Sequence, residues 1–231
     1  MQLLLITGAS SGIGLACAET FIEAGYKVIN LSRRDCPIPA VHSIHCDLSQ
    51  TDFITSVAAQ IDEELRQAEQ ICLVHNASIL ASDKVGQTES QALRDIYEVN
   101  LIAPNTLNSA LIPHMKKGSS ILYIGSTLSE KAVSNSFSYV TSKHASIGMM
   151  RATCQDLAGG VVHTACICPG FTDTQMLREH VPADAMDSVA SLSTFGRLID
   201  PSEIASTVRF AAQNPVINGS VIHANLGQLE S

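Results

Sequence analysis

Positive charge is scarce in this chain of 231 residues, which has 14 Lys and Arg against 22 Asp and Glu and a formal net charge of −8. Nucleic acids and anionic membranes are bound by basic patches, so this balance argues against both as partners. The sequence also lacks an apolar run of about 18 residues, the length of a membrane span. Met1-Gln2 lacks the basic start of a signal peptide. We therefore expect neither membrane insertion nor secretion.

Paired cysteines are missing as well. The seven cysteines are odd in number and scattered through apolar segments, which is typical of buried free thiols in a reducing compartment. Cys166 and Cys168 fall on one face of a predicted strand, but no second pair stands at zinc-ligand spacing, so a place in the core is favoured over a metal site. The histidines, including His42 and His45, show no ligand pattern either. These absences predict a cytoplasmic protein without a metal site.

The clearest feature present is a glycine turn near the start of the chain. The apolar run at residues 3–6 is typical of a strand buried on both faces. Gly8, Gly12 and Gly14 follow at the spacing G-x-x-x-G-x-G, and apolar residues then recur at helical spacing from Ile13. A strand, a glycine turn and a helix present free backbone N–H groups to a pyrophosphate. The simpler alternative is a tight turn that binds nothing.

Strand and helix patterns alternate along the rest of the chain. A long helical pattern contains Pro104, which predicts a kink or break near Asn100, and the residues from Asp200 to Glu203 read as the capped start of the last helix. This alternation predicts an α/β protein with one domain spanning residues 1–231: a Rossmann-type, doubly wound parallel sheet of about seven strands, with helices on both faces. After the first strand, the predicted strands are 26–31, 43–46, 71–75, 120–124, 160–168 and 220–224.

The residues after the second strand bear on the choice of cofactor. A dinucleotide-binding fold that takes NAD usually carries an acid here, which accepts hydrogen bonds from the adenosine ribose. This chain has Ser32-Arg33-Arg34, and guanidinium groups pair with the 2′-phosphate that an acid would repel. NADP(H) is therefore favoured over NAD(H), although Arg34 would also fit as a side chain in solvent. Asp47, just past the third strand, fits either an adenine contact or the cap of the next helix, which is predicted from about Ser49 to Ala68.

A tyrosine and a lysine supply the most specific chemistry. Tyr139 and Lys143 stand four residues apart on a predicted helix and so share one face. A nearby ammonium lowers the pKa of a phenol from about 10, because it favours the phenolate, and such a tyrosine can exchange a proton with an alcohol or carbonyl oxygen. Ser126, at the end of the fifth strand, could hold the same oxygen. Many such pairs lie on solvated helix faces, but the order of glycine turn, strand-end serine, tyrosine and lysine favours catalysis.

These motifs resemble those of the short-chain dehydrogenase/reductase family along essentially the whole chain. The stretch from Thr7 to Gly14 is similar to the family's nucleotide motif TGxxxGxG. Asn76-Ala77 falls at its NNAG strand end, where His75 and Ser78 depart from the pattern. Pro169-Gly170 with Thr174 is similar to the motif after the sixth strand, and residues 171–198 correspond to the family's substrate lid. The catalytic tetrad is matched by Asn100, Ser126, Tyr139 and Lys143.

The resemblance implies a role for each matching residue. Tyr139 would be the acid/base, Ser126 would orient the substrate oxygen, and Lys143 would lower the tyrosine pKa and bind the nicotinamide ribose. Asn100 would hold a water of the proton relay. The cofactor-binding residues that it implies are Gly8, Ser10, Ser11, Gly12, Ile13, Gly14, Ser32, Arg33, Arg34, Asp47, Leu48, Asn76, Ala77, Tyr139, Lys143, Pro169, Gly170, Thr172 and Thr174.

The expected function is therefore that of an NADP(H)-dependent alcohol dehydrogenase or carbonyl reductase, with a small-molecule carbonyl/alcohol pair as substrate. Two alternatives stay open: a catalytically inactive NADP(H)-binding or sensing protein on the same fold, which the altered motif at 75–78 favours, and an enzyme that uses NAD(H). The family resemblance also implies a homodimer or homotetramer formed through the helices that hold the tetrad. Ile147, Met149 and Met150 fit such a buried face, and an ordinary core would use them as well.

Overall fold

The computed structural model describes residues 1–228 and contains a sheet of seven parallel strands in the order β3-β2-β1-β4-β5-β6-β7. The strands are β1 Gln2–Thr7, β2 Lys27–Ser32, β3 His42–His45, β4 Gln70–His75, β5 Ser120–Ile124, β6 His163–Pro169 and β7 Ser220–Ala224. The order reverses direction between β1 and β4, which is the doubly wound topology. The predicted sheet of about seven strands is confirmed.

Helices cover both faces of this sheet and create two apolar cores. The helices are α1 Gly12–Glu23, α2 Phe53–Gln67, α3 Ser90–Tyr97, α4 Ala103–Leu111, α5 Phe137–Asp156, α6 Gln175–His180, α7 Met186–Ala190 and α8 Pro201–Gln213. Leu3 and Leu5 of β1 join the core beneath α2, α4 and α5. Leu4 and Ile6 point the other way, into the core with α1 and α8. The apolar run of β1 is continuous because the strand is buried on both sides.

The long helical pattern around Asn100 is continuous and irregular at the predicted place. Between α3 and α4 the chain forms a π-helical turn, Glu98–Ile102, and Pro104 lies in the first turn of α4. The predicted kink is therefore present as a π turn, which is a local widening of the helix and is frequent at functional sites.

Two predicted boundaries are wrong by three or more residues, and several others differ by one. The helix expected from about residue 49 begins at Phe53, because the Asp47 carboxylate accepts hydrogen bonds from the backbone N–H and hydroxyl of Ser49 and holds a turn there. The strand expected from residue 160 begins at His163, because Gly159 has a positive φ and Gly160 closes a turn onto Leu157.

The cysteines lie where free thiols were predicted. All seven are free and six are buried. The sulfurs of Cys166 and Cys168 are 3.9 Å apart inside the core beneath α5, on one face of β6. In residues 1–228 there is no helix of the length and apolarity needed to cross a membrane.

Candidate active site

The predicted site residues converge on one edge of the sheet. Because all seven strands are parallel, their carboxyl ends lie together. Gly8 follows β1, Asn76 follows β4, Ser126 follows β5 and Gly170 follows β6. The edge combines a glycine turn, a strand-end serine and the start of the 171–198 segment.

The glycine turn has no room for side chains. Gly8 and Gly12 have φ of +75° and +55°, in the left-handed region that favours glycine. A Cβ on Gly14 would overlap the carbonyl oxygen of Gly8. Helix α1 begins at Gly12, and the side chain of its N-cap residue, Ser11, accepts no hydrogen bond from the helix. The first N–H groups of α1 are thus left for a ligand, and this cradle fits a dinucleotide pyrophosphate.

Asn76 and Ala77 fix the glycine turn from the neighbouring strand. The Asn76 side-chain amide donates to the carbonyl oxygens of Thr7, at 2.9 Å, and Gly8, at 3.1 Å. The backbone N–H groups of Asn76 and Ala77 donate to the Thr7 hydroxyl at 3.0 and 2.9 Å. Ser78, which replaces a glycine of the family motif, lies outside the left-handed region. This departure therefore introduces no backbone strain.

Hydrogen bonds fix the backbone of the segment after β2, while the side chains of its arginines are exposed. Asn30 is fully buried; its side-chain oxygen accepts from Ala9 N–H at 2.8 Å, and its amide donates to the Arg34 carbonyl oxygen at 3.2 Å. The Ser32 hydroxyl donates to the same carbonyl oxygen. The side chains of Arg33 and Arg34 are exposed, so the guanidinium groups lie at the edge of the sheet while the chain beneath them is fixed.

The Asp47 side chain holds the turn that follows β3. Its carboxylate accepts from the Ser49 N–H at 3.0 Å and from the Ser49 hydroxyl at 2.8 Å, and these bonds, helped by the charge of Arg33, hold the pKa of Asp47 below its usual value. Of the two roles predicted for Asp47, the helix cap is wrong, because α2 begins at Phe53 with Asp52 as its N-cap residue. Its adenine contact stays a prediction. Leu48 beside it is buried.

Tyr139 and Lys143 lie on the buried side of α5, with 8% and 5% of their surfaces exposed. The Lys143 Nζ atom is 5.4 Å from the centroid of the Tyr139 ring and donates to the Ile124 carbonyl oxygen at 2.8 Å. A solvated helix face would leave both side chains in water, so that alternative for the pair is wrong. One carbonyl holds the ammonium, and its two other N–H groups remain as donors.

Asn100 ties three segments together from the π turn. Its amide nitrogen donates to the Ser142 hydroxyl of α5 at 2.9 Å and to the Ile79 carbonyl oxygen at 3.0 Å. Its side-chain oxygen accepts from Ile79 N–H at 2.8 Å. These bonds use both amide donors. Protein partners thus hold the Asn100 side chain in place.

Ser126 lies at the end of β5 as the N-cap of a 3-10 turn, Thr127–Ser129. Its hydroxyl oxygen accepts from Leu128 N–H at 3.1 Å, and its own N–H donates to the Ser129 hydroxyl at 3.0 Å. The cap uses Ser126 as an acceptor, so the hydroxyl proton remains to be donated. A strand-end serine fixed in this way can hold a substrate oxygen.

The 171–198 segment starts directly over the glycine turn. Thr174 caps α6 by accepting from Leu177 N–H, and its methyl group would lie 3.2 Å from a Cβ on Gly12. The Thr172 hydroxyl, part of a buried residue, donates to the Gly170 carbonyl oxygen at 3.1 Å. Helices α6 and α7 occupy the segment where the lid was predicted.

Two polar residues beside the site were missed from the sequence. Asn30 interrupts an apolar strand, and this polar residue in a buried run was a usable signal. Asp83 accepts from the backbone N–H of Ser138 at the start of α5, but it lies far from α5 in sequence and has no local pattern. Among residues 1–228, no group of three His, Cys, Asp or Glu side chains is placed to hold a metal ion.

Comparison with known proteins shows which sequences this chain is similar to. A family model described as short chain dehydrogenase matches residues 2–185. The chain is 29% identical to 3-oxoacyl-[acyl-carrier-protein] reductase FabG of Vibrio cholerae, with 98% of this chain and 96% of that protein covered. Carbonyl reductase family member 4 of Xenopus tropicalis is 28% identical, with 94% and 93% covered.

A solved structure gives the same result for the fold. The ligand-free aldohexose dehydrogenase of Thermoplasma acidophilum superposes with a TM-score of 0.90 at 29% identity, with 98% of this chain and 93% of that chain covered. Together, the matching family model, the glycine cradle and the parallel sheet show that the chain belongs to the short chain dehydrogenase family of nicotinamide-dependent oxidoreductases.

Proposed function

We propose that this protein is an NADP(H)-dependent oxidoreductase that interconverts a small-molecule carbonyl and its alcohol, with Tyr139 as acid/base. The observation that carries the proposal is the burial of Tyr139 and Lys143 on one face of α5. They lie at the sheet edge that also holds the glycine cradle and Ser126. An alternative is an inactive NADP(H)-binding or sensing protein on the same fold.

The proton chemistry is assigned to Tyr139 and Ser126. In the reducing direction, the Ser126 hydroxyl donates a hydrogen bond to the carbonyl oxygen, and the Tyr139 phenol gives that oxygen its proton. The phenolate left behind is stabilised by the Lys143 ammonium, which the Ile124 carbonyl holds beside the ring. When bound, the nicotinamide supplies the hydride, so that hydride and proton together convert the carbonyl into an alcohol.

Asn100 has a supporting role in this scheme. Because protein partners hold its side chain, we assign any relay water to the backbone groups that the π turn redirects. Lys143 has N–H groups to spare and would bind the nicotinamide ribose. The remaining cofactor contacts follow from the glycine turn, with Ser10 and Ser11 at its tip and Ile13 in the first turn of α1.

The preference for NADP(H) depends on Arg33 and Arg34. Both side chains are exposed at the end of β2, above a backbone that Asn30 and Ser32 fix. A 2′-phosphate at this end of the cofactor would pair with their guanidinium groups. A preference for NAD(H) is the runner-up.

The names of the relatives bear on the substrate. A 3-oxoacyl-[acyl-carrier-protein] reductase and a carbonyl reductase are both similar to this chain, which supports reduction of a ketone as the working direction. In the 171–198 segment Met176, Leu177 and Met186 are half-buried, and they would suit an apolar part of the substrate.

A cytoplasmic location and assembly into a homodimer or homotetramer stay predictions from the sequence and from the family resemblance. Ile147 and Met150 lie in the core of the protomer, with 4% and 0% of their surfaces exposed. They therefore no longer support a subunit interface. Met149 is half-buried and packs against the same core.

The cofactor proposal is tested by titrating the protein with NADPH and with NADH, following the fluorescence of the reduced nicotinamide. We expect NADPH to bind more tightly, and Arg33→Ala to weaken NADPH binding about tenfold or more while leaving NADH binding unchanged. Arg151→Ala, at an exposed arginine of α5, serves as the charge-matched control. Tighter binding of NADH would overturn the assignment of Arg33.

The catalytic proposal is tested with Tyr139→Phe. Removing the phenolic proton donor is expected to lower kcat by about 100-fold or more, with NADPH affinity retained. The readout is NADPH oxidation with a panel of 3-oxoacyl thioesters, ketones and aldehydes. A Tyr139→Phe variant with normal kcat would refute the mechanism. Tight NADPH binding by the wild type without turnover on any carbonyl would favour the sensing alternative.

A further inference from the structure

The catalytic helix α5 begins without a cap of its own. The side chain of its N-cap residue, Ser136, accepts no hydrogen bond from the helix, and the first turn contains no acid. The Asp83 carboxylate, from the segment after β4, accepts from Ser138 N–H at 3.0 Å, and its backbone oxygen accepts from Phe137 N–H at 3.3 Å. Asp83 therefore satisfies the first two N–H groups of α5 from outside the helix.

Asp83 is itself held in place. Its backbone N–H donates to the Asn135 carbonyl oxygen at 3.2 Å. The Thr88 hydroxyl lies 3.1 Å from its second carboxylate oxygen and shares its one proton between that oxygen and the Lys84 carbonyl oxygen, at 2.8 Å. Burial raises the pKa of Asp83, but the donors of Ser138 and Thr88 outweigh it and leave the pKa below its usual value. A charged carboxylate therefore faces the positive end of α5 at neutral pH.

The other side of Tyr139 is fixed by a second chain of bonds. The Tyr139 carbonyl oxygen accepts from the Ser142 hydroxyl at 2.8 Å, and that hydroxyl accepts from Asn100 at 2.9 Å. Asn100 also holds both backbone groups of Ile79. Residues 79–83 therefore connect the Asn100 clamp to the Asp83 cap, and the bonds form a closed ring around the turn that carries Tyr139.

We propose that Asp83 is a positioning residue for Tyr139: its carboxylate fixes the first turn of α5 and thereby the place of the phenol in the site. The effect on turnover rests on the function proposed above, whereas the effect on the helix does not.

The physical reason lies in where Tyr139 stands on the helix. It is the third residue of α5, inside the turn that frays first when helix ends lose their partners. A displacement of the phenol by about 1 Å can cost up to roughly 100-fold in rate. The glycine cradle is built from β1, α1 and β4, so loss of the Asp83 cap should leave cofactor affinity intact.

The test compares Asp83→Ala with Asp83→Asn. The asparagine keeps an oxygen that can accept from Ser138 N–H, whereas alanine removes the acceptor. We expect Asp83→Ala to lower kcat about tenfold or more with the Kd of NADPH unchanged, and Asp83→Asn to recover most of kcat. Equal losses in both variants, or a loss that appears only in the Kd of NADPH, would overturn the proposal.

The matched control is Asp200→Ala. Asp200 is the N-cap residue of α8, and its carboxylate likewise accepts from the second N–H of its helix, that of Ser202, at 2.8 Å. We expect this variant to lower the unfolding temperature about as much as Asp83→Ala does while kcat stays at the wild-type value. If kcat simply follows the unfolding temperature across the three variants, Asp83 is only structural and the proposal fails.

Amide hydrogen exchange gives a readout that needs no substrate. In Asp83→Ala the amides of Phe137, Ser138 and Tyr139 should exchange about tenfold faster, with the second half of α5 unchanged. Unchanged exchange would overturn the proposal even if activity fell. If the wild type turns over no carbonyl, the proposed function fails, while the exchange result still decides whether Asp83 holds this turn.

A milder variant keeps the test decisive if Asp83→Ala does not fold. Thr88→Val removes only a hydroxyl, the one that lies between the Asp83 carboxylate and the Lys84 carbonyl oxygen. Exchange at Ser138 should then rise about threefold, and no change there would count against the proposal.

Discussion

At the scale of single residues, His75 is a departure from the family motif that the structure explains. Its Nε2 atom donates to the Asn108 side-chain oxygen at 2.8 Å, and Asn108 in turn donates to the Tyr123 hydroxyl at 2.7 Å. The other ring nitrogen, Nδ1, is buried and has no hydrogen-bond partner among residues 1–228. Protonating Nδ1 would place a charge in the core, so burial lowers the pKa of His75 to about 4.

This low pKa predicts how stability depends on pH. Between the unfolded pKa of about 6.5 and the folded pKa of about 4, the unfolded chain binds more protons, so stability falls as the pH drops. The loss from this one group is roughly 3 kcal/mol by pH 4. Denaturant unfolding from pH 7.5 to 4.5 should therefore show a steeper fall for the wild type than for His75→Asn. Parallel curves would refute this assignment.

Replacing a glycine by alanine is expected to have opposite effects on stability at two positions, Gly14 and Gly148. A Cβ at Gly14 would overlap the Gly8 carbonyl oxygen. At Gly148, inside α5, a Cβ would have no neighbour within 4 Å among residues 1–228 beyond the adjoining backbone of its own helix. We expect Gly14→Ala to destabilise by about 1–3 kcal/mol and to abolish NADPH binding. Gly148→Ala should stabilise by about 1 kcal/mol, because alanine favours helix. Thermal unfolding and the NADPH titration check both, and a stable Gly14→Ala variant that binds NADPH would contradict the cradle.

At the scale of elements, local sequence patterns predicted most of the strands and helices. The strands Ser120–Ile124 and Ser220–Ala224 have the predicted bounds, and the last helix has the predicted capping box, with Asp200 at the N-cap and Glu203 at N3. These elements are set by neighbours in sequence. The predicted start of α2 was wrong because the Asp47 carboxylate holds a turn before the helix. The sequence alone left the role of this carboxylate open between a helix cap and a ligand contact.

Site residues that belong to a local sequence motif could be predicted. Contacts between residues that only the fold brings together could not. Tyr139 and Lys143 share a helix face by spacing alone, and the glycine turn follows directly from its residues. Asp83 was invisible, because a cap supplied from another segment leaves no pattern near the helix that it caps. The occupied side chain of Asn100 was hidden for the same reason, since Ile79 and Ser142 come from different segments.

The α8 capping box is an element whose strength can be measured. Arg197 pairs with Glu203 at 2.7 Å, and together with the bond from Asp200 N–H this lowers the pKa of Glu203 to about 2. Since the folded pKa lies below the unfolded one, its stabilisation is present above about pH 4.3 and is lost as the pH falls towards 2. The difference in the free energy of unfolding between the wild type and Glu203→Gln should therefore become smaller in acid. A constant gap between pH 6 and 2.5 would contradict this.

At the scale of the whole molecule, the strands of the sheet differ in how deeply they are buried. The central strands β1, β4, β5 and β6 are almost entirely buried, whereas β7 has no fully buried residue and β3 has four residues, of which one is buried. Within residues 1–228, each of these edge strands pairs with a single neighbour. We therefore expect local unfolding to begin at the two edge strands, β3 and β7.

Hydrogen exchange of the native protein would measure this order. Amides of β3 and β7 should exchange through local opening, while those of β1 and β4 should require global unfolding. Exchange at the centre should therefore slow with every stabilising variant, such as Gly148→Ala, and exchange at the edges should not. Equal protection across all seven strands would contradict this prediction.

The place of β1 in the middle of the sheet also has a consequence during synthesis. Strand β1 leaves the ribosome before β2 and β4. It pairs with β2 on one side, but its other side waits for β4, where Gln2 is opposite Gln70. At about 5–20 residues per second, the stretch between β2 and the end of β4 takes roughly 2–9 s to make. During that interval the edge of β1 that will pair with β4 is open, and a nascent chain stalled there is exposed to aggregation and to capture by chaperones.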